Sequence, residues 1–155
     1  MKPSTVLLAL GALLVVAGAE IGTGLAQDAA TVVKDRQTAM RQQYRNLMVV
    51  KDLMDGKAGQ PAAVAAADQL VQTVPKIPDM FPPGTGMAPP EGKYKPKPEV
   101  WTQRNKFLAE QKTVVDQVNA LDAAVKSGDK QRIATAFTTL NGCNACHDDF
   151  REKIQ

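Results

Sequence analysis

Apolar residues recur at helical spacing through most of the chain. Val33, Met40, Tyr44 and Leu47 form one stripe between Asp28 and Asp55, with Arg, Gln and Lys on the other faces, as in a helix with one side turned to a core. Asp28 is placed to cap that helix, and Gly56 and Gly59 stop it. Val64, Ala67, Val71 and Val74 mark a shorter second helix from Pro61 to about Val74, since proline is tolerated in a first helical turn. A third runs from Pro98-Glu99 to about Lys126, with Val114, Val118, Leu121 and Val125 in register. The fourth spans Lys130 to about Lys153 and carries Ile133, Phe137 and Leu140. Between the last two, Gly128 suits a left-handed helix end and Asp129 a new N-cap.

Eight of the ten prolines lie between Pro75 and Pro98, a density that predicts a surface connection without regular helix. No strand pattern or internal repeat is visible. Four amphipathic helices, two short turns and one long connection predict an all-α, antiparallel four-helix bundle.

The start of the chain follows another pattern. Lys2 precedes an unbroken run of apolar and small residues from Val6 to Ala19, and Gly24-Leu25-Ala26 supplies small residues at a cleavage site. The run is shorter than the roughly 20 residues that span a bilayer, so residues 1–26 are read as a cleaved signal peptide. Residues 27–155 then form one exported domain, with no stable membrane insertion. The net charge is +3. It is small and evenly spread, which gives no support to nucleic-acid binding.

The two cysteines and the one histidine fall within five residues. Residues 143–147 read Cys-Asn-Ala-Cys-His, the spacing of a c-type haem attachment site. Positions i, i+3 and i+4 share a helix face, so Cys143 and Cys146 can reach two vinyl groups of one haem while His147 reaches its iron. A redox cysteine pair usually opens a helix after a strand, whereas this pair sits far along the fourth predicted helix. A zinc site lacks a fourth Cys or His, and a disulfide across two residues would staple almost nothing. One covalent haem c per chain is the expected cofactor.

With His147 committed, the sixth iron position falls to Met, Lys, an exogenous ligand or nothing. Met40, Met48, Met54, Met80 and Met87 follow the signal segment. Thioether sulfur suits ferrous iron, but a methionine on an apolar stripe is also ordinary core filler.

The chain resembles the cytochrome c′ family, the class II c-type cytochromes. Cys143-Asn144-Ala145-Cys146-His147 followed by Phe150-Arg151 is similar to that family's haem-bearing last helix. Lys-Pro-Glu-Val-Trp at 97–101, with Phe107 beyond, resembles the opening of its third helix. Arg36-Gln37, with Met40 three residues on, resembles the distal part of its first. In the high-spin branch an apolar residue blocks a vacant iron face, and those members bind small gases. In the low-spin branch that residue is Met. The resemblance therefore implies iron ligation by His147 and Met40, with Arg36 and Gln37 near the haem propionates, and a monomer or homodimer.

A six-coordinate iron leaves no open position for substrate, so the expected role is electron transfer in the periplasm and not enzymatic bond-making. The alternative is a high-spin protein that binds NO or CO beside a non-coordinating Met40. Lys93, Lys95 and Lys97, with Arg151 and Lys153, are candidates for docking an acidic redox partner; the plainer reading is a solvated loop and helix-end cations.

Overall fold

The computed structural model describes residues 21–89, 91–140 and 142–154, with side chains from residue 28 onward. The main helices are α1 (Ile21–Met54), α2 (Gln60–Thr73), α4 (Arg104–Ser127), and the successive pair α5 (Lys130–Thr139) and α6 (Gly142–Phe150), with a single turn, α3 (Glu99–Thr102), leading into α4. α1 packs on α2, α2 on α4, and α4 on both α5 and α6. This is the predicted four-helix bundle, its last helix divided in two. Among the described residues no helix is long and apolar enough to cross a membrane. The expected signal peptide falls mostly outside the described residues.

The turns form as the sequence predicts. Gly56 and Gly128 take φ of 72° and 70°, the left-handed region that costs a glycine least. Asp129 caps α5 by accepting from the backbone N–H groups of Gln131 and Arg132 at 2.9 and 3.1 Å. Helix α1 begins before Asp28, which therefore lies inside the helix and does not cap it.

One core cluster joins all the main layers. Val50, Leu70, Val118, Leu121, Val125 and Ile133 are each at most 3% exposed, so the α4 stripe points inward throughout. On α1 the pattern differs from expectation. Tyr44 is 63% exposed, while Arg36, Gln43 and Asn46 are buried. The inward face of α1 is therefore partly polar.

The proline-rich connection contains more order than proline density suggests. Val74–Met80 is a 3₁₀ helix with proline in its first turn and Pro78 inside, since proline's fixed φ is compatible with this short form. Proline removes N–H donors, so the nearby carbonyls rely on side chains. Gln111 donates to Val74 O at 3.0 Å, Arg104 to Pro78 O at 2.9 Å, and Trp101 Nε1 to Phe81 O at 3.0 Å. At Gly86 an added Cβ would lie 3.3 Å from the Trp101 ring, so the backbone passes close over the indole.

Two short strands, which the sequence did not predict, are added to the all-α bundle without changing its class. β1 (Tyr94–Pro96) and β2 (Arg151–Lys153) pair antiparallel, with Tyr94 opposite Lys153, Lys95 opposite Glu152 and Pro96 opposite Arg151. The fourth predicted helix thus ends at Phe150, not near Lys153.

Candidate functional site

The cysteine–histidine motif occupies its own short helix. Near the end of α5, Thr138 and Thr139 turn their hydroxyls onto the carbonyls of Ala134 and Thr135, at 2.9 and 2.8 Å, as Thr38 and Thr113 do inside α1 and α4. Leu140 then leaves helical geometry at ψ 48°, and α6 starts at Gly142. Cys143 is consequently in the first turn of a helix. The expectation that the pair lies deep within one is corrected, and position alone no longer separates this motif from a redox pair.

Burial makes that separation instead. Both thiols are free and half-buried. Cys143 packs against the large core, and Cys146 against a second cluster of Val100, Phe107 and Phe150 with Phe81 and Trp101. Burial raises the Cys143 pKa. It pushes Cys146 up to about 11, helped by the charges of Glu110, Cys143 and Asp149. Thiols this reluctant to ionise are poor exchange nucleophiles, although they keep the S–H that addition to a vinyl group consumes.

His147 shares the helix face with both cysteines. Burial foremost, then the charge of Arg151, lowers its pKa to about 4, against a smaller opposing effect of Asp148. Its imidazole is neutral at pH 7 and has a lone pair for a metal.

Met40 is half-buried on α1, one turn beyond buried Arg36 and one turn before buried Gln43. Of the other methionines, Met54 and Met87 are 40% and 43% exposed, out of keeping with a shielded iron ligand. Met80 belongs to the 3₁₀ helix, and Met48 is half-buried on α1.

Arg36, which the resemblance puts near the propionates, sits in a hydrogen-bonded setting that the apolar pattern does not give. Its Nη1 donates to Met80 O at 3.2 Å and to Thr85 Oγ1 at 3.3 Å, and Nη2 to Thr85 O at 2.9 Å. Its guanidinium lies 4.4 Å from the Phe81 ring centroid. It is 6% exposed, yet no carboxylate among the described residues pairs with it, and burial lowers its pKa. Gln43 likewise has a buried Nε2 without an acceptor among the described residues. A buried cation lacking an anion and an amide lacking an acceptor fit a cofactor that carries carboxylates. The two thiols and the neutral imidazole fit its attachment.

The cytochrome c′ family model matches residues 31–151. Cytochrome c-556 of Rhodopseudomonas palustris is 32% identical over 145 residues, covering 90% of this chain and 95% of that protein. Cytochrome c′ of Rubrivivax gelatinosus is 35% identical over 130 residues, covering 82% and 98%. A crystal structure of cytochrome c′ from that organism aligns with TM-score 0.70 at 28% identity, over 80% of this chain and 97% of that one. A family match over most of the described bundle, with the motif on its last helix, shows that this chain belongs to the cytochrome c′ family, whose cofactor is one covalent haem c.

Proposed function

We propose that the protein is a periplasmic electron carrier in which Cys143 and Cys146 hold one haem c, with His147 and Met40 as the iron ligands. The observation that carries this reading is the spacing on α6, which puts Cys143, Cys146 and His147 on one helix face, each half-buried. Each thiol adds its S–H across one vinyl group, sulfur to one carbon and hydrogen to the other. When bound, the haem supplies an iron that alternates between ferrous and ferric states.

The remaining work belongs to the chain. α6 fixes the position of His147, and it is seated by Cys143 and Cys146 packing on the two core clusters. α1 offers Met40 from a helix fastened by Arg36 to the proline-rich connection. Ligands held by rigid elements need little rearrangement when one electron enters or leaves. Arg36 supplies a cation suited to the propionate carboxylates, and buried Gln43, in place of the expected and only half-buried Gln37, supplies a donor. Residues 1–26 act as the cleaved export signal.

Two experiments test the parts separately. Cys143→Ser with Cys146→Ser removes the haem-stained band from a denaturing gel; retained haem contradicts the attachment. The reduced wild type resists carbon monoxide, and Met40→Ala binds it rapidly. Rapid binding by the wild type would favour the gas-binding reading, in which Met40 only packs.

A further inference from the structure

The pairing of β1 with β2 sorts the cations near the motif into two groups that the sequence does not distinguish. Strand side chains alternate, so Tyr94, Pro96, Arg151 and Lys153 share one face of the ribbon, and Lys95 and Glu152 share the other. On that second face Lys95 Nζ is 3.1 Å from Glu152 Oε1, and the charges cancel. Lys97 is also engaged, its Nζ donating to Asp148 O at 2.6 Å and its backbone N–H to Phe150 O at 2.9 Å.

The first face is different. Arg151 and Lys153 are exposed, and neither is ion-paired among the described residues. The Arg151 guanidinium lies 4.3 Å from the centroid of the Tyr94 ring, which is itself 44% exposed. The plainer role for Arg151, countering the C-terminal end of α6, is already filled by Lys97. The nearby cleft of about 340 Å³ at Trp101 is lined by Lys95 and Glu152 and so belongs to the second, charge-cancelled face. Trp101 packs in the same cluster as Cys146. Aromatic and arginine side chains are those that most often anchor protein interfaces.

We propose that the ribbon face bearing Tyr94, Arg151 and Lys153 is the docking surface for an electron-transfer partner whose own surface is rich in carboxylates. The proposal rests on the electron-carrier reading. Its location is favourable for that role, because β2 continues directly from the motif helix. Complementary charge at such a face raises the encounter rate and orients the partner.

The test uses reduced holoprotein and two one-electron oxidants of opposite charge in stopped-flow mixing. One electron leaves the protein, and hexacyanoferrate(III) becomes hexacyanoferrate(II), or tris(phenanthroline)cobalt(III) becomes cobalt(II). In Arg151→Gln with Lys153→Gln, the rate with hexacyanoferrate falls about 3- to 10-fold at low ionic strength. The difference closes as salt shortens the screening length, and the rate with the cobalt cation does not fall. Arg151→Lys with Lys153→Arg keeps wild-type rates. Equal loss with both oxidants, indicating local damage, or no loss with either overturns the docking surface while leaving the carrier reading intact. If wild-type holoprotein reduces neither oxidant, the carrier reading fails and the docking proposal falls with it.

Discussion

Phe107 of α4 and Phe150 at the end of α6 meet edge to face, with ring centroids 5.1 Å apart. They are 2% and 4% exposed, and Cys146 packs on the cluster they form with Val100. This contact seats the motif helix on the bundle, and Phe81 extends it toward Arg36 through a second edge contact with Phe107 at 5.4 Å. Phe150→Ala is expected to destabilise the holoprotein by about 3–5 kcal/mol, read as a lower denaturant midpoint at unchanged slope. A loss below about 1 kcal/mol would mean that the seat lies elsewhere.

Arg36 ties α1 to the proline-rich connection by three hydrogen bonds. Arg36→Met keeps most of the stem and leaves the carbonyls of Met80 and Thr85 without these donors, at a cost of about 1–3 kcal/mol. Arg36→Lys recovers only part, because one ammonium cannot reproduce the planar fork. Thermal unfolding of the three proteins gives the order wild type, Lys, Met; equal stability of Met and wild type would contradict the strap.

Glu110 provides the clearest pH dependence. Its pKa is raised by burial and by the facing Asp149, against the smaller opposing charge of Lys106, and Oε2 is buried without a partner. An acid whose folded pKa lies above its unfolded value binds more protons when folded. Stability from this group is therefore full below the ordinary carboxylate range and declines as pH rises through the raised folded value. Glu110→Gln removes that decline, so the variant gains stability relative to wild type at neutral pH and the gain shrinks toward pH 4. Equilibrium unfolding across that range measures it, and a loss that grows with pH would reverse the sign assigned here.

The Asp129 cap predicts a smaller effect. Replacing it with Ala removes the acceptor for two backbone N–H groups and is expected to cost about 1 kcal/mol, measurable by the same unfolding assay. Asp129→Asn, which keeps an acceptor, loses less.

The turn at 127–129 was readable from the sequence because each residue has a local geometric requirement, as was the α4 stripe from its unbroken period. The motif was readable because two cysteines and the only histidine stand at helical spacing. The break before α6 was not, since it lies in the ψ of Leu140 while its apolar residues keep their register. Strands of three residues such as Tyr-Lys-Pro and Arg-Glu-Lys have no apolar alternation to reveal them. The burial of Arg36 and Gln43 has no signature in the apolar stripe, and only the family resemblance pointed to Arg36, because a polar residue's burial depends on donors and acceptors contributed by distant segments. Tyr44 failed in the opposite direction: it continued the stripe in sequence but faces solvent.

The most direct test of the account is the visible absorption spectrum of the exported protein, first oxidised and then reduced. Covalent haem ligated by His147 and Met40 predicts sharp, resolved α and β bands on reduction and a weak far-red sulfur-to-iron band when oxidised, which Met40→Ala abolishes. A broad, unresolved reduced spectrum with high-spin features would contradict Met40 ligation and move the protein to the gas-binding reading.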